Sequence, residues 1–178
     1  ADRTWVYDKS NGLWHERGYN DTNGTQHRIR WNCITYAYGK NIAGDHTNGK
    51  LYEIDLDVYT DAGDPITRTR SFPHLLNGGN RVIYNSFMAD MEMGTDDGSV
   101  DGSSSINPPV VSLRCSDDKG KSFGNAVTQS MGALGEYRTA AQWNKLGMAR
   151  DRVFELSWSV PTKTALNGAF ITTTPCRT

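Results

Sequence analysis

Apolar and aromatic residues in this chain come in short runs, broken by clusters of Gly, Asn, Asp and Ser. No stretch sustains a capped stripe of helical period, so strands and turns are predicted throughout. The first run is Trp5-Val6-Tyr7, followed across a polar turn by Leu13-Trp14. The turn, Asp8-Lys-Ser-Asn11-Gly12, returns 37 residues later as Asp45-His-Thr-Asn48-Gly49. Each copy ends in Asn-Gly, which tolerates positive φ and signals a two-residue hairpin. Between the copies, Ile29–Tyr38 reads as a longer strand, with Ile34, Tyr36 and Tyr38 in alternation and Gly39 to turn it. Ile42-Ala43 and Leu51–Ile54 flank the second copy. Short strands at a period near 40 predict propeller-blade-like hairpins over residues 1–60. Too few blades are present to close a ring, so most of a propeller is expected outside this chain.

The pattern changes over residues 61–80, where turns at Asp61–Pro65 and Asn77–Asn80 enclose Arg68–Leu76. This segment is predicted to be a linker. From Arg81 the strand pattern resumes: Val82–Met93, Val110–Cys115, Ser122–Ser130, Arg138–Leu146, Arg152–Val160 and Thr164–Thr172. The Gly/Ser/Asp-rich stretch from Gly94 to Pro109 reads as a loop. Tyr137–Met148 has the composition of either a strand or a short helix, and strand is preferred. Six or seven strands at regular spacing predict an antiparallel β-sandwich over residues 81–178. The fold class expected is therefore all-β.

Composition agrees with many turns and few long elements. Of 178 residues, 18 are Gly and 37% are hydrophobic. A net charge of −1 excludes a chain that is basic throughout, as a nucleic-acid glove would be. Charge is uneven, however. No Lys or Arg falls between Arg81 and Arg114, whereas Asp90, Glu92, Asp96, Asp97 and Asp101 do. Cys33, Cys115 and Cys176 are odd in number, widely spaced and without a Cys-x-x-Cys pair, which argues against a disulfide framework or a zinc site. Cys33 and Cys115 are expected as buried small hydrophobes, in a protein made in a reducing cytoplasm. There is no signal peptide and no long apolar run, so no membrane anchor is expected. The chain begins almost inside a strand, which suggests part of a longer protein.

The candidate chemistry is thin. Ser116-x-Asp118-x-Gly120-x-Ser122-Phe123 is an Asp-box: a strand, a polar turn and an aromatic that tucks beneath. Asp118 is suited to accept backbone N–H bonds, and Gly120 to positive φ. Such boxes also decorate sialidase-like glycosidases, but a glycosidase needs two carboxylates across a cleft. Asp97-x-Ser99-x-Asp101-Gly102 copies the first half of a calcium loop, yet Pro108 stands where a bidentate Glu belongs. His15, His27, His46 and His74 lack metal spacing. The sequons at Asn20 and Asn23 are chance matches. Arg138, Lys145, Arg150 and Arg152 are predicted either to line one rim of the sandwich or to pair with Glu136, Asp151 and Glu155. No catalytic, cofactor-binding or metal-binding residues are assigned.

Three segments resemble a known family when taken in order. They are Tyr7-Asp8…Gly12–Arg17, then Tyr38-Gly39-Lys40…Gly44-Asp45…Gly49–Glu53, then the Asp-box with Trp143–Phe154, followed by Pro161…Lys163…Leu166–Ala169. Together they are similar to the C-terminal part of the packaged-DNA stabilisation (tail accessory) proteins of short-tailed bacteriophages. The resemblance implies a non-enzymatic virion protein at the portal vertex, made in the host cytoplasm. It implies a homo-oligomer, as a sixfold ring, that meets portal, adaptor and other tail proteins. It also implies non-specific channel contact with packaged DNA. The rival reading is a carbohydrate- or receptor-binding sandwich of a phage tail, with Tyr19, Trp31 and Trp158 as its exposed aromatics.

Overall fold

The computed structural model describes residues 3–21, 23, 25–95 and 109–176. Every regular element among them is a strand, and the chain forms two compact units, Ala1–Ile66 and Thr67–Thr178.

The first unit contains two three-stranded antiparallel meanders. One is β1 (Thr4–Asp8), β2 (Leu13–Asn20) and β3 (Gln26–Arg28); the other is β4 (Trp31–Ala37), β5 (Lys40–Asp45) and β6 (Leu51–Ile54). A ribbon of β7 (Thr60–Asp61) and β8 (Asp64–Pro65) follows. The 37-residue repeat is real in space, because both copies build the same turn. In the first, the Ser10 hydroxyl and amide donate to Asp8 at 2.7 and 2.8 Å, and the Leu13 amide donates to Asn11 Oδ1 at 2.9 Å. In the second, Thr47 donates twice to Asp45 at 2.6 Å, and the Lys50 amide donates to Asn48 Oδ1 at 2.9 Å. Gly12 and Gly49 close the turns at φ 72° and 70°. The expected two-residue hairpins are therefore corrected to four-residue loops, with Asp8 pairing Leu13. The side chains of Asp and Asn satisfy the turn's amides, so the Asn-Gly pair sits at its end and not at its centre. A true two-residue turn occurs at Tyr38-Gly39, both at positive φ.

This unit is held by polar contacts. The Arg30 guanidinium lies 4.2 Å over the Tyr19 ring and pairs with Asp64 at 3.4 Å and Asp61 at 3.7 Å. Ala43 is the one buried hydrophobic residue described in the unit. Trp5 and Trp14 are 59% and 64% exposed, whereas Tyr52 is half-buried with its hydroxyl on Asp45. Cys33 is exposed and Cys115 is only partly buried, so neither is the buried small hydrophobe expected. A register shift between Trp31 and Cys33 displaces the first of them from the strand alternation.

The second unit is the sandwich. One sheet runs from β9 (Arg68–Ser71) and β10 (Leu75–Leu76), both on β16 (Asp151–Trp158), through β12 (Val110–Ser116) to β13 (Val127–Ser130). The other centres on β11 (Val82–Met91), with β14 (Ala141–Asn144) and β15 (Met148–Ala149) pairing along it and β17 (Leu166–Pro175) spanning its length. Residues 67–80 are thus not linker, since β9 and β10 are sandwich strands. β9 is short and polar and β10 is only two residues long, so neither declares itself in sequence, and long-range pairing to β16 makes them. The stretch from Ser122 is strand only from Val127, and Arg138–Leu146 only over Ala141–Asn144.

Between the sheets, Phe87 meets Phe154, Phe72 and Trp143 at centroid distances of 5.0, 5.5 and 6.0 Å, and Tyr84 meets Phe154 at 5.7 Å. A register shift between Tyr84 and Ser86 lets Val82, Tyr84, Phe87, Ala89 and Met91 all face inward despite the break in alternation. On the outer face of the other sheet, Ser71, Glu155 and Arg114 stand side by side across three strands. The buried Glu155 accepts from the Ser71 hydroxyl at 2.7 Å and from Arg114 at 2.5 Å. Arg114 in turn lies 4.7 Å over Phe123.

Candidate functional site

The Asp118 turn begins where β12 ends. Ser116 is buried, and its hydroxyl accepts the Gly120 amide at 2.8 Å while donating to Asp118 at 2.6 Å. Asp118 also accepts the Lys121 and Ser122 amides at 3.0 and 2.9 Å and the Ser122 hydroxyl at 2.5 Å. Lys119 and Gly120 take φ 66° and 81°, which turns the chain back so that Phe123 lies under Arg114. Every oxygen of Asp118 is consumed by its own turn. The carboxylate is held well below its ordinary 3.8, first by the Ser116 hydroxyl, then by the Ser122 hydroxyl and amide.

The same cause acts on the repeated turns. Asp45 is lowered from 3.8 to about 2, chiefly by the Thr47 hydroxyl and then its amide, and Asp8 is lowered by the Ser10 hydroxyl and amide. These carboxyls have folded values below their unfolded ones. Their contribution is present above 3.8 and is lost as pH falls through the folded value. We expect the Asp45 hairpin to loosen between pH 3.8 and about 2. Amide exchange at Thr47 and Lys50, followed down that window, checks this. An Asp45→Asn chain should show the loosening already at neutral pH.

A second cluster sits beside the core. Arg152 is 4% exposed, donates to both oxygens of Asp117 at 2.6 and 2.7 Å and to the Leu146 carbonyl, and lies 4.9 Å over the Tyr84 ring. His74 meets Asp151 at 2.8 Å and clips β10 to β16. Two open grooves flank these pairs, one of about 360 Å³ beside His74, Leu75 and Tyr84, the other of about 450 Å³ beside Arg81, Asp117 and Arg150.

The expected basic rim does not form. Arg152 is buried on Asp117, Arg150 donates to the Gly79 carbonyl, Arg138 lies in a turn and Lys145 in the connection between β14 and β15. The anticipated surface partners are also replaced, since Glu155 takes Arg114 and Glu136 accepts the Ala133 amide. None of the aromatics proposed for a carbohydrate face stands fully exposed. Trp158 is in the core with its ring N–H on Thr164, Trp31 is half-buried and Tyr19 stacks on His27 at 5.3 Å. The histidines serve local bonds, His27 to Asp21 at 3.0 Å and His46 to the Arg30 carbonyl. The calcium-like Asp97–Asp101 motif lies outside the described residues; among those described there is no cluster of metal-ligating side chains. The Arg152–Asp117 pair was invisible in sequence because its members are 35 residues apart and nothing in either segment marks the other.

Compared with known proteins, residues 67–174 match a sequence family described as the β-sandwich of bacteriophage P22 Gp10. The match opens one residue before β9 and ends within β17. No curated protein sequence matches the chain.

Proposed function

The chain belongs to the bacteriophage P22 Gp10 β-sandwich family, a family of phage structural proteins, and from that premise we propose that it is a component of the head-to-tail channel of a short-tailed phage. In this reading copies assemble as a sixfold ring at the portal vertex, made in the host cytoplasm and joined to portal, adaptor and tail proteins. The ring prolongs the channel, retains packaged DNA and gives later tail parts a platform. The carrying observation is the family match over nearly the whole sandwich. It is supported by side chains that act as braces: the carboxylates of Asp117, Asp118, Asp151 and Glu155 are all committed to internal partners. A brace of this kind suits a part under mechanical stress, because its resistance comes from buried surface and fixed pairs and not from turnover.

The test is genetic. Phage with a nonsense mutation in this gene should package DNA and then lose it, leaving emptied heads without complete tails in electron micrographs. Particles that keep their DNA, complete their tails and fail to adsorb would replace this reading with a receptor-binding one.

A further inference from the structure

The two copies of the repeated turn place Asp, Asn and Gly at the same spacing, yet they hold the Asn-Gly pair differently. In the first copy, the Gly12 amide donates to the Asp8 carbonyl at 2.9 Å. The Asn11 side-chain amide donates to Asp8 Oδ2 at 2.8 Å. Both nitrogens of the pair are thus engaged. In the second copy, the Tyr52 hydroxyl donates to Asp45 Oδ2 at 3.0 Å, and so occupies the aspartate oxygen that corresponds to the one holding Asn11. Among the described residues, neither the Gly49 amide nor the Asn48 side-chain amide has a hydrogen-bond partner. The Asn48 side chain is held only at its Oδ1, by the Lys50 amide at 2.9 Å. Asn11, Gly12, Asn48 and Gly49 are all exposed, so burial does not separate the two pairs.

The difference bears on the covalent chemistry of an Asn-Gly pair. A glycine has no side chain to obstruct its own nitrogen, which attacks the Cγ of the preceding asparagine. The bond from the Gly nitrogen to Cγ forms, the Cγ–Nδ2 bond breaks, and ammonia leaves with the proton that the Gly amide gives up. Water then opens the cyclic imide at either carbonyl, giving aspartate or isoaspartate. No oxidant or reductant is involved. An amide committed to a carbonyl oxygen must first release that bond. We propose that Asn48 is a site of spontaneous deamidation in the folded protein, that Asn11 is protected, and that Tyr52 makes the difference by taking the oxygen of Asp45 that would otherwise hold the Asn48 amide. The product sets a second carboxylate beside Asp45, where like charges oppose each other. As isoaspartate it also lengthens the β5–β6 connection by one backbone carbon. Of the two repeated hairpins, the second is therefore the one that changes with age, whatever the chain's role in the virion.

Peptide mass spectrometry of the full 178-residue chain, aged at mildly alkaline pH, tests it. Trypsin separates the two sites, because the fragments 10–17 and 41–50 each contain one Asn-Gly pair. The gain of one mass unit and the appearance of isoaspartate are followed in each fragment. In the folded chain Asn48 should react about fivefold faster than Asn11, the factor that one amide hydrogen bond of ordinary net strength supplies. In urea the two rates should converge, since the turns that distinguish them are gone. Tyr52→Phe should free Asp45 Oδ2 for the Asn48 amide and slow the reaction at Asn48 toward that at Asn11. Equal rates in the folded chain, a faster reaction at Asn11, or a ratio that survives unfolding overturns the proposal. So does a folded Tyr52→Phe chain that reacts at Asn48 as fast as the unsubstituted one. The comparison of folded with unfolded chain needs no variant, and it decides between these outcomes even where Tyr52→Phe does not fold.

Discussion

Phe154→Ala lowers the stability of the sandwich by about 3–5 kcal/mol, the cost of removing a buried phenyl ring and leaving a cavity. Phe154 is 1% exposed and meets Phe87 at 5.0 Å and Tyr84 at 5.7 Å, one from each side of the bulge in β11. Its loss therefore removes the ring that both halves of β11 pack against, and these neighbours are tethered to strands that cannot collapse inward. Urea unfolding, with one parallel measurement on Phe123→Ala, checks this. Phe123 is only half-buried and bears on Arg114, so its loss should cost about 1 kcal/mol. Equal costs for the two rings would mean that the core is misplaced.

Asp117→Ala costs about 3 kcal/mol, and Arg152→Met costs less. The first substitution strands a guanidinium in a place where it is almost fully buried, having lost both of its carboxylate bonds. Breaking a buried pair from one side typically costs 3–5 kcal/mol, and the half-exposed position of Asp117 puts this case at the low end, because water can reach the gap. The second substitution removes the charge that needed compensating. It forfeits chiefly the bond to the Leu146 carbonyl and the approach to Tyr84, about 1–2 kcal/mol. The double variant should accordingly be close to Arg152→Met and more stable than Asp117→Ala. Costs that simply add would show that the two side chains do not act as a pair.

The sequence was legible where structure is local. The turn at 116–123 and the repeated Asp-x-Ser/Thr-Asn-Gly loops are built by side chains bonding to amides two to four residues away, so the residues that make them are adjacent in the chain. The all-β class and the sandwich followed from alternation and turn spacing. What was not legible depended on distant partners. β9 and β10 look like linker until β16 is beside them. Arg152 looks like a surface cation until Asp117 and Tyr84 close over it. Alternation through Val82–Met91 also misleads, because a bulge changes its phase without leaving a Gly or Pro to announce it.

The row of Ser71, Glu155 and Arg114 also bears on how the sandwich finds its own arrangement. The three residues are in direct register on adjacent strands. Sliding β16 by one position against β12 would turn Glu155 toward the aromatic core and leave its charge without Arg114 or Ser71, since side chains on a strand change faces at every step. A misaligned sheet is thus penalised twice, by an unpaired buried carboxylate and by Phe154, Leu156 and Trp158 turned out of the core. The row therefore discriminates between the native register and its neighbours. Its contribution is to the choice of register more than to the modest stability that the ion pair adds.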